Sequence, residues 1–182
     1  MTRAKDEVIA VHESGHVVLS LHCGLGVSLA TIDRDPRDTA NEYERGITYH
    51  TTASDWLAPY VEGKRTLRPV GPARRATVLS HLLVCWGGAI AEKLLLGRST
   101  WRQHTADAHG AQVYSRMLGH HARAVPAVVA SFRRPAQAIL ESRLGELTAI
   151  TGALMRHRTL TGAHLRGIVA RERAWDAKAR RT

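Results

Sequence analysis

The sequence predicts a mainly α fold with a small β-sheet or hairpin near the N-terminal third, on three observations. Apolar residues recur at helical spacing over most of the 182 residues, two short segments, 27–32 and 46–51, are rich in β-branched residues, and no repeat or low-complexity linker divides the chain. With 44% hydrophobic residues the chain has enough apolar material for one core without staples. The expectation is a single domain over 1–182, with a polar-motif part at about 1–118 and a C-terminal helical hairpin at about 126–175.

The first helix is expected from about Ala4 to Cys23, ended by Gly24 in a left-handed cap. Val27–Ile32 and Gly46–Thr51 read as strands on either side of the polar stretch 33–45, which contains Pro36. Residues 52–72 mix Trp56, Pro59, Tyr60, Gly63, Pro69 and Gly71 without periodicity and read as a long loop or flap. From Pro72 to Leu96 one core helix is expected, with proline in its first turn, an apolar face including Val78, Leu82, Trp86 and Ile90, and Gly97 at its end. Gly87 and Gly88 in its middle weaken a helix unless another backbone or a bulky side chain packs against them. A further helix is expected over 105–118. Another runs from Pro135 to His157, and a last one is capped by Thr161 and carries Leu165, Ile168 and Val169.

Inside the first helix stands His12-Glu13-Ser14-Gly15-His16. Positions i and i+4 share a helix face, so His12 and His16 can aim ring nitrogens at one metal ion while Glu13 reaches water beside it. With 11 His in 182 residues, a shuffled chain would show His-Glu-x-x-His in roughly 3 cases per 100, so the surroundings decide. The helix is apolar around much of its circumference, and two imidazoles and a carboxylate buried there need partners that a metal supplies. A zinc that does chemistry takes three protein ligands and keeps a position for water. Glu92, His104, Asp107 and His109 are the candidates for the third, and spacing alone does not rank them.

Lys and Arg outnumber Asp and Glu by 26 to 16, a net charge of +10, densest in the segment 171–181. That balance admits an acidic partner or nucleic acid, although interspersed acids and the lack of a stacking platform favour a solvated helical face. Cys23 and Cys85 form no Cys-x-x-Cys pair and are expected as small packed thiols. The four tryptophans, Trp175 among them, are expected to pack. No secretory leader or membrane span is read from the sequence, so the expected location is cytoplasmic.

The His12–His16 motif with Val17-Val18, the run Trp86-Gly87-Gly88-Ala89-Ile90-Ala91-Glu92, and Ser99-Thr100 leading to Ala106-Asp107 resemble the protease domain of FtsH-type zinc metalloproteases. Ile139-Leu140-Glu141 through Leu160-Thr161-Gly162 resembles that domain's closing hairpin, so the likeness covers most of the chain. The resemblance implies a helical metalloprotease domain with Zn2+ held by His12, His16 and Asp107, and Glu13 as general base. It leaves Glu92 as a structural residue or a support for a ligand. It further implies hydrolysis of unfolded or flexible polypeptides, with Gly46-Ile47-Thr48-Tyr49 as a strand that pairs with substrate backbone. The family's membrane anchor and ATPase ring have no counterpart in these residues, and no Gly-x-x-x-x-Gly-Lys-Ser/Thr loop occurs. The expectation is a peptidase without intrinsic ATPase activity, working alone or with a separate unfoldase. The rival expectation is a non-catalytic zinc module that binds nucleic acid or an acidic protein through its basic surface.

Overall fold

Helix α1 (Arg3–His22) runs through the middle of the protein, and every residue from Ala10 to Ser20 is buried. A helix buried all round has no solvent face, which is why its sequence lacks an apolar stripe. The computed structural model describes residues 3–33, 46–50, 54–99 and 105–179. Among them the chain continues as β1 (Val27–Thr31), β2 (Ile47–His50), α2 (Ser54–Val61), α3 (Pro72–Val84), α4 (Gly87–Leu96) and α5 (Thr105–Met117). It closes with α6 (Val125–Ser131), α7 (Arg133–Ser142), α8 (Leu144–His157), β3 (Thr159–Thr161) and α9 (Gly162–Ala179). The protein is mainly α with one small antiparallel sheet, as the sequence predicts.

The sheet has the order β2-β1-β3. Ala30 of β1 stands opposite Thr48 on one side and Leu160 on the other, with a register shift between Val27 and Leu29. Strand β3 is absent from the sequence reading, in which Thr161 appears only as a helix cap. Thr161 does both, since its hydroxyl also accepts a long hydrogen bond from the His164 backbone N–H at 3.4 Å. Arg158, at φ +61, turns the chain from α8 into β3. Its guanidinium reaches Asp6 in the first turn of α1 at 3.1 Å and Asp33 just past β1 at 2.6 Å.

Three expected elements differ. The stretch 52–72 contains a helix, α2, with Pro59 inside it. Proline hides this helix from pattern reading, yet packing of Trp56, Leu57 and Tyr60 on the core supports it. The expected single helix 72–96 is two, divided at Cys85–Trp86, where the Trp86 N–H bonds back only three residues to Leu83. The expected helix 135–157 is also two, broken at Arg143, whose φ of −125° is not helical. Helix α6 is unforeseen as well. Trp86 meets it directly, donating its indole N–H to the Val129 carbonyl at 2.8 Å. Trp175 is 72% exposed and so does not pack as expected. Trp101, His104, Arg180, Arg181 and the stretch 34–45 lie outside the described residues.

One hydrophobic cluster extends from Ala10 to Val169 and joins α1 to α4, α8, α9 and the sheet. Gly24 and Gly97, both at φ +71, end α1 and α4 as left-handed caps. By length and composition the stretch Pro72–Leu96 is apolar enough to cross a membrane, with a mean hydropathy of 1.4 over its best window, but 67% of that window is buried inside the protein. Its apolar surface is spent on the core. Cys85 is buried, Cys23 is half-buried, and both are free thiols.

Candidate metal centre

The seam between α1 and α4 sets the site. Gly15 and Gly87 bring the two backbones into contact, so that a Cβ on Gly87 would lie 2.7 Å from the Gly15 carbonyl. A Cβ on Gly15 would run into the Gly87 carbonyl in turn. One residue along, Gly88 leaves room for the His12 imidazole, which any side chain there would strike. The close approach expected of Gly87-Gly88 is thus made by both a backbone and a ring. It also brings Glu92, one turn further along α4, under His12.

His12 and His16 project from one face of α1, and Asp107 comes to them from the first turn of α5. Their ligand atoms form a small triangle. His12 Nε2 and His16 Nε2 are 3.0 Å apart, and Asp107 Oδ2 stands 3.2 and 3.3 Å from them. These are nearly the edges of one face of a tetrahedron around a cation with ligands about 2.0–2.1 Å away, where about 3.3 Å is expected. The other ring nitrogens are committed. His12 Nδ1 is 2.8 Å from Glu92 Oε1, and His16 Nδ1 is 2.9 Å from the Val84 carbonyl. A carbonyl or an ionised carboxylate only accepts, so each Nδ1 carries the hydrogen and each neutral ring turns a lone pair toward the triangle. Asp107 Oδ2 is buried and accepts no well-aligned hydrogen bond. Three electron-rich atoms therefore converge on one point, an arrangement only a proton or a metal cation relieves. His12, His16 and Asp107 thus make a cluster that can hold a metal ion.

The electrostatics agree. Burial pushes the His12 imidazolium down, but the carboxylates of Asp107 and Glu92 beside its two ring nitrogens and the charge of Glu13 outweigh it and raise the group to about 10. Burial opposes the charged form of His16 too, and Asp107 overcomes it, so this group is raised. Burial would lift Asp107, yet His16 and His12 hold its carboxyl well below the usual range. In the metal-free protein a proton takes the place of the cation. That proton stabilises the metal-free fold fully below about 6.5 and is lost as pH rises through about 10. A metal must displace it, so affinity is expected to rise with pH, by about tenfold per pH unit for each proton released. Competition titrations against a chelator at pH 6, 7 and 8 check this, and a pH-independent affinity contradicts it.

Glu13 is buried beside the ligands, and burial pushes its carboxyl up against the opposing pull of His16, His12 and Thr48. Thr48 of β2 donates its hydroxyl to Glu13 Oε2 at 2.8 Å. His50 lies on the same face of β2, since strand side chains alternate. Its ring meets His81 edge-on at 5.1 Å, and burial together with His81 and His16 lowers it to about 3, so it is neutral.

The structure gathers His12, His16 and Asp107 into one cluster, with Glu13 buried next to His12 on the same helix, and sets Glu92 behind His12 rather than among the ligand atoms. His109 faces elsewhere, its Nε2 donating to the Val61 carbonyl of α2 at 3.2 Å. His104 lies outside the described residues. Among the described residues no fourth His, Cys, Asp or Glu joins the triad. Sequence reasoning placed Thr48 in the substrate-pairing strand but missed its bond to Glu13, and it missed the Val84 carbonyl and His50. Thr48 is 35 residues from Glu13 and Val84 is 68 from His16, and no local spacing announces such pairs. No family model and no curated protein sequence matches this chain.

Proposed function

We propose that the protein is a zinc-dependent endopeptidase of the FtsH type that hydrolyses unfolded or flexible polypeptides. One observation carries the reading: a three-atom nitrogen and oxygen cluster of tetrahedral dimensions with a buried carboxylate, Glu13, next to it on the same helix. Two imidazoles and one carboxylate suit Zn2+, and His12, His16 and Asp107 would hold it. When bound, zinc supplies a Lewis acid that makes water acidic and polarises a peptide carbonyl. The remaining work falls to the chain itself.

Glu13 accepts a proton from the attacking water and delivers it to the leaving amine nitrogen as the C–N bond breaks. Burial suits it to both tasks, because a raised carboxyl is a better base when ionised and retains the proton until the amine needs it. Glu92 fixes the tautomer and orientation of His12, and the Val84 carbonyl does the same for His16. Strand β2 borders the site through Thr48 and pairs with β1 on one side, with no strand on its other side among the described residues. That edge suits an extended substrate backbone. Among the described residues the ligand set has three members, which supports a catalytic centre over a structural zinc module, usually closed by four protein ligands.

The test compares the protein with Glu13→Gln, measuring bound metal in both and cleavage of casein without ATP. Both are expected to hold about one zinc. Cleavage by the variant should fall by about 10²–10⁴-fold, the range for loss of a general base. Equal cleavage by the two proteins, or no bound zinc in either, would refute the reading.

A further inference from the structure

We propose that Thr48 is a positioning residue for Glu13, so that the strand offered to the substrate backbone also holds the general base; the inference rests on the peptidase reading. Among the described residues Thr48 is the only hydrogen-bond donor to the Glu13 carboxylate, at 2.8 Å on Oε2. The same hydroxyl lies 3.5 Å from the Glu13 carbonyl, too far to share its single proton usefully. The other carboxylate oxygen, Oε1, lies against Gly46, where a Cβ would stand 2.8 Å from it. Gly46 has φ +88, a conformation that other residues rarely adopt. Residues on β2 or at its entrance therefore bound both oxygens of Glu13: Thr48 ties one, and the bare Cα of Gly46 leaves room for the other.

A glutamate on a helix has three side-chain torsions, and a general base works only when held within hydrogen-bond reach of the proton it takes. Thr48 removes that freedom by occupying Oε2, leaving Oε1 to accept the proton of the attacking water. The proton then passes from Glu13 to the amine nitrogen, and Thr48 keeps its own throughout. The strand that carries Thr48 is at the sheet edge, paired only with β1 among the described residues. A peptide added to that edge fixes the β2 backbone, and with it the Thr48 hydroxyl and the Glu13 carboxylate. Substrate docking and base orientation are thereby one event, and the coupling acts on turnover rather than on binding.

The experiment uses the zinc-loaded protein with Thr48→Val, Thr48→Ser and Glu13→Gln. Zinc content, kcat and KM on a fluorogenic unfolded polypeptide, and calorimetric affinity for acetohydroxamate are measured for each. Acetohydroxamate chelates the metal and gives its acidic proton to a neighbouring carboxylate, so it reads the placement of Glu13 without turnover. Thr48→Val removes the hydroxyl and keeps the shape. It is expected to hold zinc and to leave KM within about twofold, while kcat falls by about 10–100-fold. Thr48→Ser restores most of kcat. Acetohydroxamate binding weakens in Thr48→Val and Glu13→Gln and recovers in Thr48→Ser. Native kcat and hydroxamate affinity in Thr48→Val, a loss that serine does not restore, or loss of zinc would overturn the proposal. If the unaltered protein cleaves no polypeptide, the peptidase reading fails by itself, and the hydroxamate series alone decides the link between Thr48 and Glu13.

Discussion

Alanine at Gly88 is expected to cost metal affinity, and alanine at Gly15 is expected to cost the fold, although the two glycines lie on one seam. At Gly88 the new methyl falls on the His12 ring, which is pinned between Glu92 and Asp107. The ring swings away and its Nε2 leaves the triangle. Structural zinc sites bind with about 10–16 kcal/mol over four protein ligands, about 2.5–4 kcal/mol for each, so losing one here should weaken metal binding by about 10²–10³-fold. At Gly15 the methyl meets the Gly87 carbonyl and the Ala91 side chain, and neither helix can yield without moving the core. The expected destabilisation is about 3 kcal/mol or more, which lowers Tm by roughly 6–12 °C for a chain of this length. Gly71→Ala is the control, because Gly71 has open space around it and an ordinary φ of −66°. Chelator competition and calorimetry separate the two effects, and a Gly88→Ala protein with native zinc affinity would disprove the packing argument.

Removing Asp107 should be worse for the metal than removing the carboxylate behind the ligands. Asp107→Ala deletes one corner of the triangle and leaves two lone pairs 3.0 Å apart with no anionic atom among the ligands. Its zinc affinity is expected to fall by about 10²–10³-fold. Glu92→Gln keeps an oxygen that accepts from His12 Nδ1 and loses only the charge, for an expected loss of about 10–100-fold. Equilibrium titration with a chromogenic chelator orders the two variants. The reverse order would make Glu92 the ligand, and native affinity in Asp107→Ala would move the third ligand to another residue, such as His104.

The parts of the site that lie within one helix were legible from the chain. His12, Glu13 and His16 are fixed relative to one another by the 3.6-residue turn, so their spacing is already their geometry. The glycine pair at 87–88 was legible as a demand for close packing, because two glycines in an apolar helix have few other uses. Asp107 was one of four candidates by spacing, and only the resemblance preferred it. Helix breaks at Cys85–Trp86 and Arg143 were not legible. Neither site has a proline, and a glycine pair beside the first weakens a helix without fixing where it breaks. At the first, Trp86 gives its indole N–H to the Val129 carbonyl of α6, a contact 43 residues away in the chain.

The sequence by itself determined the class of fold, the two histidines and glutamate on one helix face, and the need for a close neighbour at Gly87-Gly88. These follow from short-range periodicity and residue chemistry. Only the tertiary structure decided the third corner of the triangle, the tautomers fixed by Glu92 and Val84, and the placement of Thr48 on Glu13. It also decided that β1 has a second partner in β3. Each of these joins atoms that stand tens of residues apart, and such pairs are set by how the helices and the sheet stack around α1, a quantity no local pattern encodes.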